Sequence, residues 1–107
     1  MNFAIHRAPI PDGLRVAVEG EVDVFTAPEM RAELTGALRS HRLVTVDLSA
    51  VTFMDSQGLS ALIRAREEAE SLDGCLRLDK VPARVMKLLE LTGLDTLLTV
   101  DSVLPGH

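Results

Sequence analysis

Six consecutive residues near the middle of this chain, Leu43–Leu48, place the strongest constraint on its fold. The segment is short, mostly apolar and rich in β-branched side chains, which is typical of a central strand buried on both faces. Apolar residues recur at helical spacing before this segment, and again after it. Strand and helix signals alternate in this way along the chain, so the sequence predicts βαβ units and a largely parallel sheet.

The first 20 residues predict a hairpin instead. Phe3 and Ile5 alternate with polar or small neighbours, and so do the apolar residues between positions 14 and 18. Pro11-Asp12-Gly13 lies between the two segments and is a turn signal. We therefore expect an α/β domain with a mixed, mostly parallel sheet of about four to five strands packed with helices.

The first two helices have recognisable boundaries. The first follows Asp23 and opens with capping-box spacing from Thr26 to Glu29, in which the hydroxyl accepts a hydrogen bond from a first-turn N–H. The second begins around Asp55-Ser56. It ends near Gly74, a residue suited to the left-handed backbone that closes many helices.

The last third of the chain continues the alternation. Residues 76–78 predict a strand, and residues 82–93 predict a third helix that ends at a glycine. Residues 97–100 form a plausible last strand, although residues 94–98 also fit a short helix. The tail, residues 101–107, is expected to be loose.

Composition limits the size, core and partners of the protein. The 107 residues suit one domain, and 47% hydrophobic with only 3% aromatic residues predicts an aliphatic core. The formal net charge of −5 argues against binding nucleic acid or an anionic membrane surface. The single cysteine, Cys75, lies in an alternating apolar stretch and is expected to be a buried small hydrophobe. No signal peptide or bilayer-length apolar run is recognised, so we expect a cytoplasmic protein without membrane insertion.

The sequence gives little indication of a metal site or of an enzyme active site. His6, His41 and His107 are scattered without the spacing of metal ligands. No glycine-rich loop with a lysine is present to hold phosphates, so neither a metal nor a cofactor is predicted. A serine hydrolase built on Ser56 is disfavoured, because Met54 stands where the nucleophile elbow needs glycine. We expect the chain not to be an enzyme.

Ser56 is nevertheless the strongest functional candidate. It lies in the segment Phe53–Leu59, which follows the central strand and opens a helix. In a parallel sheet this is the carboxyl edge, where functional sites gather. The hydroxyl fits an ordinary N-cap. It can also accept a phosphate, because first-turn N–H groups and the helix dipole tolerate negative charge.

A family resemblance adds to this interpretation. The segment Val44–Leu59, read with Gly20–Asp23 upstream and Leu91–Leu94 downstream, resembles the STAS domains. Within these it is similar to the bacterial anti-sigma factor antagonists. The Asp-Ser-x-Gly-Leu element is short, but its position after a strand, with Gly-Glu-Val-Asp before the first helix, makes the joint match fairly specific. The resemblance implies that residues 1–107 form a single STAS domain.

The resemblance also implies a partner-switching function. In that family the unphosphorylated antagonist binds an anti-sigma factor and thereby frees a sigma factor. The anti-sigma factor is also a serine kinase, and its phosphorylation of the antagonist switches binding off. A phosphoserine phosphatase, here expected to be of the PP2C type, restores the antagonist.

Site residues are carried over from the family by position. Ser56 corresponds to the phosphorylated serine, and Asp23 matches an acid that lies near it. Asp55 precedes the acceptor, Gln57 replaces a residue that is often small, and Gly58 completes the expected partner surface. Rival acceptors in the same region are Ser49, Thr52 and Ser60.

A different class of function also fits the resemblance. STAS domains serve as accessory or ligand-sensing modules of transporters and signalling complexes. In that case the region around Ser56 would be a docking surface that is not phosphorylated.

Overall fold

Strand order in the sheet follows the order of the chain. The computed structural model describes residues 2–105, which form one five-stranded sheet in the order β1-β2-β3-β4-β5 with three α-helices. The elements are β1 (Phe3–Ile10), β2 (Gly13–Val22), α1 (Ala27–Ser40), β3 (Leu43–Met54), α2 (Ser56–Ser71), β4 (Cys75–Asp79), α3 (Ala83–Thr92), a 3₁₀ turn (Leu94–Thr96) and β5 (Thr99–Val100).

The sheet is mixed and mostly parallel, as predicted. β1 and β2 form the antiparallel hairpin, and their turn contains Asp12 at φ 70°. The pairs β2–β3, β3–β4 and β4–β5 are all parallel. Each parallel pair is joined by a crossover helix, which is the βαβ arrangement that the alternating pattern indicated.

One face of the sheet carries the core. Val16 of β2 pairs in register with Val46 of β3, which pairs with Leu78 of β4, and all three side chains are fully buried. Helices α1 and α2 contact each other and this part of the sheet. The buried residues of α1 are the predicted stripe Ala27, Met30, Leu34, Ala37 and Leu38.

β3 is the central strand, but burial on both of its faces is only partly confirmed. Thr45 is buried, whereas Asp47 is half-buried on the face away from the core. Arg15 Nη2 lies 2.9 Å from Asp47 Oδ2 and 3.0 Å from Asp79 Oδ2 on that face. The second face of the central strands is therefore covered by paired charges, and its charged groups satisfy one another.

These contacts shift the acidity of both carboxyl groups. Burial acts to raise the pKa of Asp47, but hydrogen bonds from Ser49 and Arg15, with the charge of Arg15, hold it below its ordinary value. For Asp79, the hydrogen bond from Ser102 has the largest effect and lowers the pKa. Burial opposes that effect and Arg15 adds to it, so this pKa is also below its ordinary value.

Two helix ends differ in how they use glycine. Gly93 closes α3 at φ 76°, as predicted. The prediction for Gly74 is wrong, because Asp73 takes the left-handed conformation at φ 63°. Gly74 instead allows a close approach of two segments, since a Cβ there would lie 2.8 Å from the carbonyl oxygen of Arg42.

The C-terminal segment is more ordered than predicted. Both alternatives for residues 94–100 occur, one after the other, as the 3₁₀ turn and β5. Asp101 N donates to Leu78 O over 2.7 Å, and Leu104 N donates to Val81 O over 2.8 Å. The expectation of a loose tail is therefore wrong for residues 101–104. Residues 106–107 lie outside the described part of the chain.

Cys75 is exposed, which contradicts the prediction of a buried thiol. It opens β4, where Leu76 and Leu78 point into the core. Alternation along the strand places Cys75 on the other face, together with Arg77.

Within residues 2–105, no helix combines the length and the apolar character that crossing a membrane requires. The same residues hold no group of three or more His, Cys, Asp or Glu side chains arranged to bind a metal ion. His107, one of the three scattered histidines, lies outside them.

Candidate functional site

The carboxyl ends of β2 and β3 meet where α2 begins. Val22 and Met54 are register partners, and both side chains are buried. The backbone N–H of Asp55 donates to the carbonyl oxygen of Val22 over 3.2 Å. This hydrogen bond fixes the start of α2 beside the loop that leads from β2 into α1.

Asp55, not Ser56, is the N-cap of α2. Its backbone is extended, and its Oδ1 accepts from Gln57 N at 2.9 Å and from Gly58 N at 3.3 Å. The interpretation of Ser56 as the cap is therefore wrong, because the neighbouring carboxylate already satisfies the first-turn N–H groups. Helix capping is thus the role that the geometry gives Asp55.

Ser56 is the first residue of α2 and is exposed. Among the hydrogen bonds within residues 2–105, none involves its hydroxyl group. Its side chain lines a shallow, mostly apolar groove between α2 and the end of α3, with Leu59, Ile63, Thr92 and Leu94 among the other lining residues. The hydroxyl is thus accessible to another protein and is not engaged in holding the helix.

Gly58 lies in the first turn of α2 and is buried. A Cβ at this position would lie 2.6 Å from Met54 Cγ and 2.9 Å from Val22 Cγ1. Only glycine lets the first turn of α2 settle this closely on the strand ends. Gln57 is exposed beside it and lines a polar groove between α1 and α2 that also contains Arg31.

Asp23 lies at the same edge, but its carboxylate is directed to its own loop. Its Oδ1 accepts from Phe25 N at 2.9 Å and from Thr26 N at 3.1 Å. Thr26 Oγ1 donates to Glu21 O over 2.8 Å and accepts from Asp23 N at 2.9 Å. The predicted capping box is therefore wrong, because the buried hydroxyl of Thr26 ties the loop to the end of β2 and makes no cap hydrogen bond to α1.

Sequence reasoning missed three exposed apolar residues at this edge. Val24 is 56% exposed, Phe25 75% and Phe53 49%. Val24 and Phe25 stand in the loop between Asp23 and α1, and Phe53 stands near the end of β3. The one signal in the sequence was that two of the chain's three phenylalanines fall outside any core-forming period, which does not show where a loop residue points.

The five predicted site residues thus share one edge of the sheet, here called the switch edge. Asp55, Ser56, Gln57 and Gly58 form the start of α2, and the Val22–Asp55 hydrogen bond places the loop of Asp23 beside them. The rival acceptors Ser49, Thr52 and Ser60 are also exposed. Exposure alone therefore does not select Ser56.

The sheet, the crossover helices and the switch edge together define a STAS domain. The family model described as "Mlab, STAS domain" matches residues 7–100. The chain belongs to the STAS domain family.

Individual proteins that are similar to this chain carry more specific names within the family. The chain is 33% identical over 102 residues to an anti-sigma-B factor antagonist of Staphylococcus aureus, covering 94% of each protein. It is 26% identical over 106 residues to the anti-sigma-B factor antagonist of Bacillus subtilis, covering 99% of this chain and 97% of that protein.

Solved structures show the same fold. An anti-sigma factor antagonist from Mycobacterium paratuberculosis matches with a TM-score of 0.81 and 25% identity, covering 92% of this chain and 84% of that one. The antagonist SpoIIAA in its unphosphorylated form matches with a TM-score of 0.70 and 17% identity, covering 92% and 88%.

Proposed function

We propose that this chain is an anti-sigma factor antagonist. Its unphosphorylated form binds a kinase-type anti-sigma factor and frees a sigma factor, and phosphorylation on Ser56 switches that binding off. Relatives bearing the antagonist name, similar to this chain over nearly its whole length, support the class of function. The observation that carries the switch is the exposed Ser56 hydroxyl on a helix that Asp55 caps.

The geometry supports Ser56 as a substrate for another protein's active site. In the transfer, Ser56 Oγ bonds to the γ-phosphorus of the kinase's ATP, the bond to ADP breaks, and the hydroxyl proton leaves to the kinase. Since the hydroxyl of Ser56 is not the cap, phosphorylation leaves the hydrogen bonds of Asp55 in place. This chain supplies the acceptor, and the catalytic groups belong to its partner.

A phosphate at this position acts on binding more than on folding. It adds about −1.5 to −2 charges, whereas its interaction with the helix dipole is worth only about 0.3–1 kcal/mol. Forcing such a charge into an interface beside the Asp55 carboxylate costs several times more. A thousandfold loss of affinity needs about 4 kcal/mol, so an electrostatic block at the switch edge is sufficient.

Support for an unchanged fold comes from the relative with two known states. Unphosphorylated SpoIIAA matches this chain with a TM-score of 0.70, and phosphorylated SpoIIAA with 0.69 and 19% identity. Both states of that protein therefore have the fold described here.

The proposal includes the remaining parts of the cycle. A phosphoserine phosphatase of the PP2C type regenerates the binding form, and the protein works in the cytoplasm. Residues 1–107 act as one STAS domain, with no metal or cofactor. Asp23, Asp55, Gln57 and Gly58 shape the surface around the acceptor.

The decisive experiment compares Ser56→Ala and Ser56→Asp with the unmodified protein. The Ser56→Ala protein is immobilised and incubated with a native extract in the presence of ATP. It should capture a kinase-type anti-sigma factor. The purified factor should then bind Ser56→Ala in the presence of ATP and bind Ser56→Asp much more weakly. Ser60→Ala, which removes a hydroxyl one turn further along α2, is the matched control and should behave like the unmodified protein.

The same experiment separates the alternative function. A STAS module that docks without phosphorylation predicts equal binding by Ser56→Ala and Ser56→Asp, and capture of a transporter ATPase or another signalling subunit. That outcome would overturn the antagonist proposal.

A further inference from the structure

The loop between β2 and α1 is unusually well fixed for a segment that presents apolar side chains to solvent. Five hydrogen bonds involve side chains of Asp23 and Thr26 within residues 21–26. The Thr26 side chain is buried, whereas Phe25 between the two polar residues is 75% exposed. The loop is therefore held from its base while its aromatic ring points outward.

These hydrogen bonds determine where the backbone of Phe25 stands. Asp23 Oδ1 accepts from the N–H of Phe25 itself, so the carboxylate positions the residue that carries the ring. The Thr26 hydroxyl anchors the other side of the loop to Glu21 O, at the end of β2. A loop whose backbone is already held in place loses little backbone freedom on binding, and this favours Phe25 as an anchor.

We propose that Phe25 is the anchor by which this edge binds its protein partner, and that Asp23 is a positioning residue for Phe25 rather than a charge that acts on Ser56. The inference deepens the proposed function and rests on it. Aromatic residues are enriched at protein interfaces and bury about 150–250 Å² each. Val24 and Phe53 extend the apolar surface at the same edge.

The surroundings of the ring define the chemistry of the partner surface. Glu21, Asp23 and Asp55 are acidic residues at the ends of β2 and β3, at the same edge of the sheet as Phe25. A complementary partner presents an apolar pocket for the ring of Phe25, without basic side chains placed to pair with a phosphate on Ser56. A phosphate on Ser56 would place unpaired negative charge beside this pocket, so the anchor and the proposed switch act at one interface.

The test uses paired substitutions and the anti-sigma factor captured by the Ser56→Ala protein. Phe25→Ala should weaken binding by about 10- to 100-fold, the range expected for losing one buried phenylalanine. Leu72→Ala, which truncates another exposed apolar residue at the far end of α2, should leave the affinity unchanged. Thermal unfolding of both variants should match that of the unmodified protein.

Substitutions of Asp23 separate a positioning role from a role through its charge. An asparagine side chain retains the oxygen that accepts both N–H groups but carries no charge. Asp23→Asn should therefore bind within about threefold of the unmodified protein, whereas Asp23→Ala should weaken binding as Phe25→Ala does. The double variant Asp23→Ala/Phe25→Ala should be no weaker than Phe25→Ala alone, because both changes remove one anchor.

Each alternative result would overturn one specific part of the proposal. Full binding by Phe25→Ala would remove the anchor, and equal loss by Asp23→Asn and Asp23→Ala would assign Asp23 a role through its charge. If Asp23→Ala does not fold, loss in Phe25→Ala together with retention in Asp23→Asn still decides the question. Failure of the unmodified protein to bind any anti-sigma factor would instead overturn the proposed function.

Discussion

The backbone N–H of Asp55 donates to the carbonyl oxygen of Val22 over 3.2 Å, one residue before the proposed phosphoacceptor. The hydrogen bond joins the carboxyl ends of two parallel strands where one enters α2 and the other leads to α1. Because the strand ends are linked, the loop that carries Phe25 and the helix that carries Ser56 have a fixed relation. A partner that recognises both meets one preformed surface.

Substitutions at the start of α2 should separate capping from phosphate acceptance. Asp55→Ala removes the acceptor of two first-turn N–H groups and should lower the free energy of unfolding by about 0.5–2 kcal/mol. Ser56→Ala should change it by less than about 0.5 kcal/mol. Urea unfolding measures both, and Asp55→Asn, which keeps the cap oxygen, should be near the unmodified protein. An equal loss in Ser56→Ala would identify the hydroxyl as part of the cap.

Two helical glycines should respond in opposite directions to alanine. Gly58→Ala places a Cβ against Met54 and the stiff side chain of Val22, which should destabilise the protein by about 1–3 kcal/mol before any gain in helix propensity. Gly36→Ala in α1 has only Arg7 Nη2 nearby, at 3.8 Å. It should stabilise the protein by about 0.5–1 kcal/mol. Thermal or urea unfolding gives the signs, and a stabilising Gly58→Ala would contradict the close packing described for α2.

Acid should lower the free energy of unfolding by protonating Asp47 and Asp79, on the face of the sheet away from the core. The pKa values of Asp47 and Asp79 are lowered from 3.8 in the folded protein, so at falling pH the unfolded chain takes up protons first. Their contribution is therefore present above about pH 4 and is lost as pH falls through the folded pKa values.

A single substitution tests this source of pH dependence. Asp79→Asn should make the free energy of unfolding fall less steeply between pH 5 and pH 3, as measured by urea titration at each pH. Glu67→Gln, which removes an exposed carboxylate of α2, serves as the control and should keep the original slope. A slope that is the same in all three proteins would show that Asp79 contributes nothing to acid sensitivity.

Phosphorylation should leave the folded domain largely unchanged. With the purified kinase-type partner and ATP, mass spectrometry should locate one phosphate at Ser56, and Ser60→Ala should still be phosphorylated. The far-UV circular dichroism should be preserved, and the thermal midpoint should move by less than about 8 °C, since the dipole interaction is worth at most about 1 kcal/mol. Loss of the far-UV signal would indicate that phosphorylation disrupts the fold and does not merely block the interface.

Much of the fold could be predicted because apolar periodicity reports burial directly. The alternation in residues 14–18 and 76–78 and the stripe of α1 all lie in the core. Where the prediction failed, the local pattern was overridden by a neighbouring segment. Thr26 has the spacing of a capping box, but the nearby end of β2 offers its hydroxyl a carbonyl oxygen.

The candidate site could be located but not resolved from the sequence. The Asp55-Ser56 pair identified the right turn, yet both residue types make good caps, and only the structure shows that Asp55 takes the role. Phe25 was not predicted because a single aromatic residue in a loop has no period to reveal its direction. Cys75 was misplaced although the parity of Leu76 and Leu78 already placed it on the opposite face.

The agreement between strand order and chain order affects how this protein can fold while it is being synthesised. Because every strand pairs with the one synthesised before it, no late segment has to be inserted between two earlier ones. During translation, the β1–β2 hairpin can form as soon as it leaves the ribosome, and each later crossover then extends the sheet at one edge. The free edge of β4 is covered only when β5 and residues 101–104 emerge and pair with β4 and Val81.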